Sequence, residues 1–175
     1  KGEANVFGSL GIVYEHQGKY ELALQYYEQA LKLHREVRNK RSEGISLGNI
    51  GNVFTKQDKL EQAKQSFEQA ISLCEDRIPP AAGAFRGSLS LVIARQGDLP
   101  QAFSLIEKGE EQVKVYPEEY GKFLCKKSEV QLLANEPESA FQSLKKAQQI
   151  AKQINVNKNS ELAIAINKLQ QEFVI

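Results

Sequence analysis

Residues 47–70 read LGNIGNVFTKQDKLEQAKQSFEQA, and this stretch sets the pattern for the whole chain of 175 residues. Its small residues Ala63 and Ala70 belong to two series that return at intervals of 40, 39 and 38 positions. The first series is Ala23, Ala63, Ala102 and Ala140, and the second is Ala30, Ala70, Gly109 and Ala147. An internal repeat of about 40 residues predicts a stack of similar units rather than one globule.

Within each repeat the apolar residues recur at intervals of three and four positions, which is the period of an amphipathic α-helix. The first repeat shows this spacing at Tyr20, Leu24, Tyr27 and Leu31. Turn-forming residues separate the two helical stretches of each repeat at Gly18, Asp58, Gly97 and Asn135. The sequence therefore predicts two amphipathic helices joined by a short turn in every repeat, and no strands.

Small residues also mark the first helix of each repeat, at Gly11, Gly51, Ser90 and Ser128. We expect them to face the alanine of the second helix, because small side chains allow two helix backbones to approach closely. The aromatic ring of Tyr27 or Phe67 is predicted to fill the space that remains.

This pattern resembles the tetratricopeptide repeat family. In the second repeat the family's positions are occupied by Leu47, Ile50, Gly51, Phe54, Ala63, Phe67 and Ala70. The family repeat has about 34 residues, and the longer repeat here is similar to the subclass found in kinesin light chain, in adaptors with Leu-Gly-Asn repeats and in bacterial signalling proteins. The resemblance implies an all-α fold: a right-handed α-α superhelix, or solenoid, of helix pairs with a C-terminal capping helix.

We expect residues 1–175 to form a single solenoid domain. The predicted repeats span about 4–39, 42–78, 81–116 and 118–155, and the capping helix spans about 159–173. An apolar stripe runs along that helix at Leu162, Ile166, Leu169 and Phe173, and its opposite, polar face carries Asn167, Lys168, Gln170 and Gln171. Because the first repeat lacks such a cap and the chain has no methionine, we expect a fragment of a longer protein with further repeats upstream.

Composition argues against several classes of function. The chain has 23 Lys and Arg and 22 Asp and Glu, so its net charge of +1 gives no general attraction to nucleic acid or to an anionic membrane. No apolar run approaches the roughly 20 residues of a membrane span, and no secretory signal is visible, so we expect a cytoplasmic protein. Cys74 and Cys125 are far apart in the sequence, so we expect buried thiols rather than a disulfide or a metal site.

In such a stack the first helices line the inner, concave face, and residues spaced four, three and four positions apart share that face. The predicted inner rows are Asn5, Ser9, Ile12 and His16; Ile45, Asn49, Asn52 and Lys56; Ala84, Ser88, Leu91 and Arg95; and Lys122, Lys126, Glu129 and Leu133. The amides of Asn49 and Asn52 each offer a donor and an acceptor to the backbone of an extended peptide. The family resemblance implies the same role; the alternative is that both amides bond to neighbouring helices or to water.

A row of basic residues crosses the repeats at His16, Lys56 and Arg95, and Lys122 and Lys126 extend it. If these side chains form one positive edge, an acidic peptide or a chain-terminal carboxylate is favoured there. The alternative is a set of solvated surface charges. The carboxylate clamp of chaperone-binding family members is not expected, since Gly8 and Ile12 stand where it needs Lys and Asn.

A basic cluster between the first two repeats favours a solvated helix end over a nucleic-acid patch, because acidic residues interrupt it and no aromatic residue interleaves with it. Its members are Lys32, Arg35, Arg38, Lys40 and Arg41. Catalysis has no support: His16 and His34 lack the spacing of metal ligands on one helix face, and no phosphate-binding loop follows a strand. We therefore expect no enzyme activity, no metal and no cofactor.

The sequence predicts a protein-interaction scaffold that binds a partner peptide or helix in its concave groove. The alternative is an intramolecular regulatory or sensor module of a bacterial multidomain signalling protein, such as a kinase, a cyclase or a transcription regulator. We expect a monomer, or weak self-association through the ends of the solenoid.

Overall fold

The computed structural model describes residues 2–173, which form α-helices joined by short turns, with no strand among them. The helices are α1 (Gly2–His16), α2 (Tyr20–Glu36), α3 (Lys40–Lys56), α4 (Leu60–Cys74), α5 (Pro79–Arg95), α6 (Leu99–Val113), α7 (Pro117–Leu133), α8 (Pro137–Gln153) and α9 (Glu161–Gln171). Successive helices from α1 to α8 form one pair for each predicted repeat, and α9 follows alone. The predicted all-α fold of helix pairs with a final single helix is confirmed.

The chain reverses between the two helices of each pair through residues in the left-handed backbone region. Gly18 and Gly97 have φ values of 72° and 92°, and Asp58 and Asn135 have values of 58° and 59°. Glycine enters this region without strain, and Asn and Asp are the residues with side chains that tolerate it best. The turn positions predicted from the sequence are therefore confirmed.

The chain divides into two compact units, unit 1 (Lys1–Phe85) and unit 2 (Arg86–Ile175). Unit 1 holds α1 to α4 and the first part of α5, and unit 2 holds the rest of α5 and α6 to α9. The expectation of a single domain over the whole chain stays a prediction.

In unit 1, large aromatic rings pack against glycines. A Cβ atom added to Gly11 would lie 2.5 Å from the ring of Tyr27, and one added to Gly51 would lie 2.8 Å from the ring of Phe67. Both rings are buried, with 1% and 0% exposure. The predicted close approach of the two helices is confirmed for the first two repeats, because only a missing side chain leaves room for the ring.

In unit 2, a serine allows close approach within one helix pair, and two glycines allow it between helices of consecutive repeats. The Ser128 hydroxyl on α7 donates a buried hydrogen bond of 2.7 Å to the Ala140 carbonyl on α8. Phe123 packs against Gly87, and Leu162 packs against Gly121; a Cβ atom at either glycine would lie 2.7 Å from the neighbouring side chain. These contacts place α7 between α5 and α9.

Helix α9 packs on α7 and α8 through the apolar stripe that the sequence predicts. Its buried residues are Leu162, Ile166 and Leu169. The helix begins after Ser160, whose hydroxyl accepts a hydrogen bond from the Ala163 backbone at 3.2 Å and so caps the helix. Phe173 lies just beyond the last turn of α9, and its ring packs edge-on against the ring of Phe141 with 5.8 Å between the ring centroids.

No helix within residues 2–173 combines the length and the apolar character that a membrane crossing requires. Over the same range, no group of three or more His, Cys, Asp or Glu residues is placed to hold a metal ion. Cys74 and Cys125 are free thiols and are buried, as predicted. Burial disfavours the thiolate and raises the pKa of both thiols, to about 12 for Cys125.

Candidate functional site

The predicted inner rows of unit 1 combine an amide on α3 with small and apolar side chains on α1. Asn49 on α3 is half-buried, and within the described part of the chain its amide has no hydrogen-bond partner. Asn52 is half-buried too, but it already interacts within the protein. On α1, Ser9 is exposed and Ile12 is 44% exposed. Of the two predicted amides, Asn49 is therefore the one available to an incoming backbone.

The lysine of the α3 row is held in an ion pair. Lys56 Nζ lies 2.8 Å from Glu15 Oε1, and the hydroxyl of Tyr27 donates to the other Glu15 oxygen at 2.7 Å. Glu15 is not among the predicted row residues; it directly precedes one of them, His16. Because Glu15 balances the charge of Lys56, unit 1 offers less positive charge than the basic row suggested.

In unit 2, the first half of the α7 row is tied to the neighbouring helices. Lys126 donates to the hydroxyl of Ser88 on α5 at 2.5 Å, a contact that joins two of the predicted site residues. Lys122 forms ion pairs with Glu119 at 2.6 Å and with Glu161 on α9 at 3.3 Å. Both lysines that would extend the basic row are thus engaged within unit 2.

The two lysines differ in their electrostatic environment. Burial lowers the pKa of Lys126, and the neighbouring ammonium of Lys122 lowers it further. Burial also acts against the charge of Lys122, but its contacts with Glu119 and Glu161 outweigh burial and raise its pKa. Lys122 is therefore held as a cation by carboxylates, whereas Lys126 bonds to a neutral hydroxyl.

The second half of the same rows borders an open cleft of about 300 Å³, here called the unit 2 cleft. Its lining residues are Leu91 and Arg95 from α5, Glu129, Leu132 and Leu133 from α7, Lys168 and Leu169 from α9, and Glu172 directly after α9. Four of these residues belong to the predicted inner rows, namely Leu91, Arg95, Glu129 and Leu133. The structure thus brings half of two predicted rows to one place.

The unit 2 cleft combines leucines with charged side chains. Leu91 and Leu169 are 8% and 3% exposed, whereas Leu133 is 49% exposed. The charged residues are the cations Arg95 and Lys168 and the carboxylates Glu129 and Glu172. Between residues 2 and 173 none of these charged groups has an ion-pair partner. The cleft can therefore offer both an apolar surface and free charges of either sign.

The contribution of α9 to the unit 2 cleft is not predicted from the sequence. Lys168 is expected only on the polar face of a capping helix, with no role in the site, whereas Lys168 and Glu172 line the unit 2 cleft. A signal was present, because the spacing of four, three and four positions continues as Glu161, Ala165, Lys168 and Glu172. Extending the inner-row rule into α9 finds both charged residues.

His34 in unit 1 borders a separate cavity of about 270 Å³, formed by α1, the end of α2 and the start of α3. The side chain is 7% exposed, and burial lowers its pKa. In the next repeat the same position is occupied by Cys74, which is fully buried. A titratable ring thus stands in the first repeat where the second has a small thiol.

The basic cluster between the first two repeats is partly neutralised by an internal carboxylate. Glu43 forms ion pairs with Arg35, whose Nε lies 3.0 Å from Oε1, and with Lys40, whose Nζ lies 2.8 Å from Oε2. Burial would raise the pKa of Glu43, but the hydrogen bonds and charges of Lys40 and Arg35 lower it overall. The cluster thus contains a structural ion-pair network at the junction of α2 and α3.

Residues 2–76 match the family model described as tetratricopeptide repeat. The sequence matches no curated protein. Among solved structures, the apo form of RapI is similar over 98% of this chain and 68% of its own, with a TM-score of 0.75 and 14% identity. BtubC (BKLC) from P. vanneervenii is similar over 90% of this chain and 66% of its own, with a TM-score of 0.68 and 16% identity. These likenesses show the fold alone, and this chain spans about two thirds of the length of each.

Proposed function

Since residues 2–76 match the tetratricopeptide repeat family model, we propose that this protein is a non-enzymatic interaction module that binds a segment of a partner protein. The binding surface is the inner face of the first helices, as is usual for helical repeats with extended concave surfaces. One observation carries the proposal: four residues that the repeat pattern assigns to the inner face border the unit 2 cleft.

The contrast along the α7 row supports a binding role for the cleft. Lys122 and Lys126, in the first half of the row, bond to neighbouring helices and help to hold unit 2 together. Glu129 has no ion-pair partner among the described residues, and Leu133 exposes half of its surface. A cleft whose leucines are rimmed by polar and charged groups has the composition of an interaction site.

Unit 1 adds a group suited to main-chain recognition. A partner in extended conformation presents both N–H and C=O groups, and the free amide of Asn49 can bond to both kinds. Exposed Ile12 on the adjacent α1 offers an apolar contact to a side chain of the same segment. This combination suits an unfolded peptide segment, which hydrogen-bonds through its backbone and is specified by its side chains.

A selection of random short peptides displayed on phage, made against the full chain, tests this function. Peptides that bind in solution are then measured by fluorescence anisotropy against two variants, Asn49→Ala in unit 1 and Leu133→Ser in unit 2. We expect either variant to weaken binding of peptides that contact its unit by roughly fivefold to tenfold, the value of one lost hydrogen bond or apolar contact.

Asn167→Ala is the matched control, because Asn167 is an exposed residue of α9 that does not line the cleft. All three variants should keep the parent's helical circular dichroism. The proposed function is wrong if no selected peptide binds the chain in solution, or if Asn49→Ala and Leu133→Ser both bind every peptide as the parent does.

A further inference from the structure

We propose that the unit 2 cleft selects a partner segment in which a large apolar side chain is flanked by one acidic and one basic residue. The inference rests on the proposed function and adds the chemistry of the segment that is bound. It departs from the acidic peptide that the basic row favours, because the charges of this cleft have both signs.

The order of the three helices sets the pattern of the cleft. Since α7 lies between α5 and α9, inner-row residues at the same level of the three helices lie side by side. A level here means the same position in each four-residue row. The fourth and last level consists of Arg95, Leu133 and Glu172, and the third level consists of Leu91, Glu129 and Lys168. At the last level, a cation on α5 and a carboxylate after α9 therefore flank the exposed leucine of α7.

The leucines define a place for one large apolar side chain. Leu91 and Leu169 are almost completely buried and form an apolar base, and the half-exposed Leu133 stands beside them. The volume of about 300 Å³ lies at the lower end of the roughly 300–1,000 Å³ of small-molecule sites. Such a cleft accepts one side chain with its flanking backbone rather than the surface of a folded domain.

The charges are free although oppositely charged neighbours are present. One and two turns earlier on the same rows, side chains do reach across the helices, as Lys122 reaches Glu161 and Lys126 reaches Ser88. Around the cleft, by contrast, no ion pair joins the described cations to the described carboxylates. The four charges therefore remain available to a partner.

The balance of these charges decides the sign of the partner. Arg95 and Lys168 attract a carboxylate, whereas Glu129 and Glu172 repel a second one and attract a cation. A wholly acidic or wholly basic segment would meet repulsion from half of the charged lining. A segment with one charge of each sign beside its apolar residue satisfies both halves.

The test reverses the two cations without touching the leucines. Arg95→Glu with Lys168→Glu leaves only carboxylates around the cleft, and both side chains are exposed, so the fold is kept. Lys145→Glu with Lys152→Glu is the matched control, since it makes the same change in net charge at exposed positions of α8 that do not line the cleft. The probes are peptides selected by display whose binding Leu133→Ser weakens, each also synthesised with its acidic residue replaced by Lys.

We expect the selected peptides to carry an apolar residue flanked by charges of both signs. The double reversal at the cleft should weaken binding of the selected peptides about tenfold or more. The Lys-substituted peptides should bind the reversed protein more tightly than they bind the parent protein. The control variant should bind both peptide sets as the parent does.

If cleft-binding peptides bind the reversed variant as tightly as the parent, the charge pattern has no role and this inference is wrong, although the proposed function stands. If every selected peptide carries charges of one sign only, the inference is equally wrong. If no peptide binds the chain at all, the proposed function fails and the inference fails with it.

Discussion

Units 1 and 2 are built on the same internal packing but present different inner faces. In unit 1 the ring of Phe85 on α5 packs against Gly48 on α3, and in unit 2 the ring of Phe123 on α7 packs against Gly87 on α5. The inner row of α3 offers the free amide of Asn49. The second half of the α5 and α7 rows instead borders a cleft that combines leucines with charges of both signs. Packing therefore constrains the residues between helices, while the residues of the inner rows can differ between the two units and carry different binding chemistry.

Removing one buried ring from each unit tests whether the two cores are equivalent. Phe67 and Phe123 are 0% and 1% exposed, so their deletion leaves a cavity in either unit. We expect Phe67→Ala and Phe123→Ala each to lower the free energy of unfolding by about 3–5 kcal/mol, measured by urea denaturation. A cost below about 1 kcal/mol in one unit would break the equivalence, because it would mean that the ring there is not a packing anchor.

A smaller effect separates the two ways in which the repeats achieve close approach. Gly51 and Ser128 occupy the same position of the repeat, but a Cβ atom at Gly51 would lie 2.8 Å from the ring of Phe67. We expect Gly51→Ala to cost about 1–3 kcal/mol of unfolding free energy through overpacking. Ser128→Ala should cost only about 1 kcal/mol, the value of its hydrogen bond to Ala140. The opposite order of costs in urea denaturation would contradict this account.

The smallest expected effect is a pH dependence that arises in unit 1, which holds both histidines of the chain. Burial lowers the pKa of His34 from its ordinary 6.5, so below that pH the unfolded chain takes up a proton more readily than the folded chain. This contribution to stability is present above pH 6.5 and is lost as the pH falls toward the pKa of the folded state.

His34→Leu removes the titrating group and should therefore flatten the fall in unfolding free energy between neutral and mildly acidic pH. Urea denaturation at a series of pH values measures this slope. A variant with the same slope as the parent would show that the acid sensitivity arises from other groups.

Much of this fold follows from the sequence because its signals are local. The turns at Asp58 and Asn135 require a left-handed backbone, and the spacing of small residues requires two helices in close contact. Both features depend on residues within one repeat. Leu91 and Leu133 of the predicted inner rows line the unit 2 cleft, but their place in a binding groove stays a prediction.

The contacts that were missed depend on how adjacent helices are offset. Periodicity places Lys56 and Lys122 on the inner face, but it does not show that their long side chains reach Glu15 and Glu161. Such choices depend on distances between repeats and on the reach of flexible side chains, which the pattern of one helix does not contain. The role of Lys168 was missed for a different reason, since the row rule was not extended into the last helix.

Because both cysteines are buried, we expect the chain to react slowly with thiol reagents. Cys74 and Cys125 are 0% and 1% exposed, and burial raises the pKa of each, so little reactive thiolate exists near neutral pH. A third cysteine placed on the surface, for example by Lys168→Cys, would consequently be the preferred target of a fluorescent maleimide. A variant with this one added cysteine can thus carry a reporter dye at the unit 2 cleft while both natural cysteines are retained.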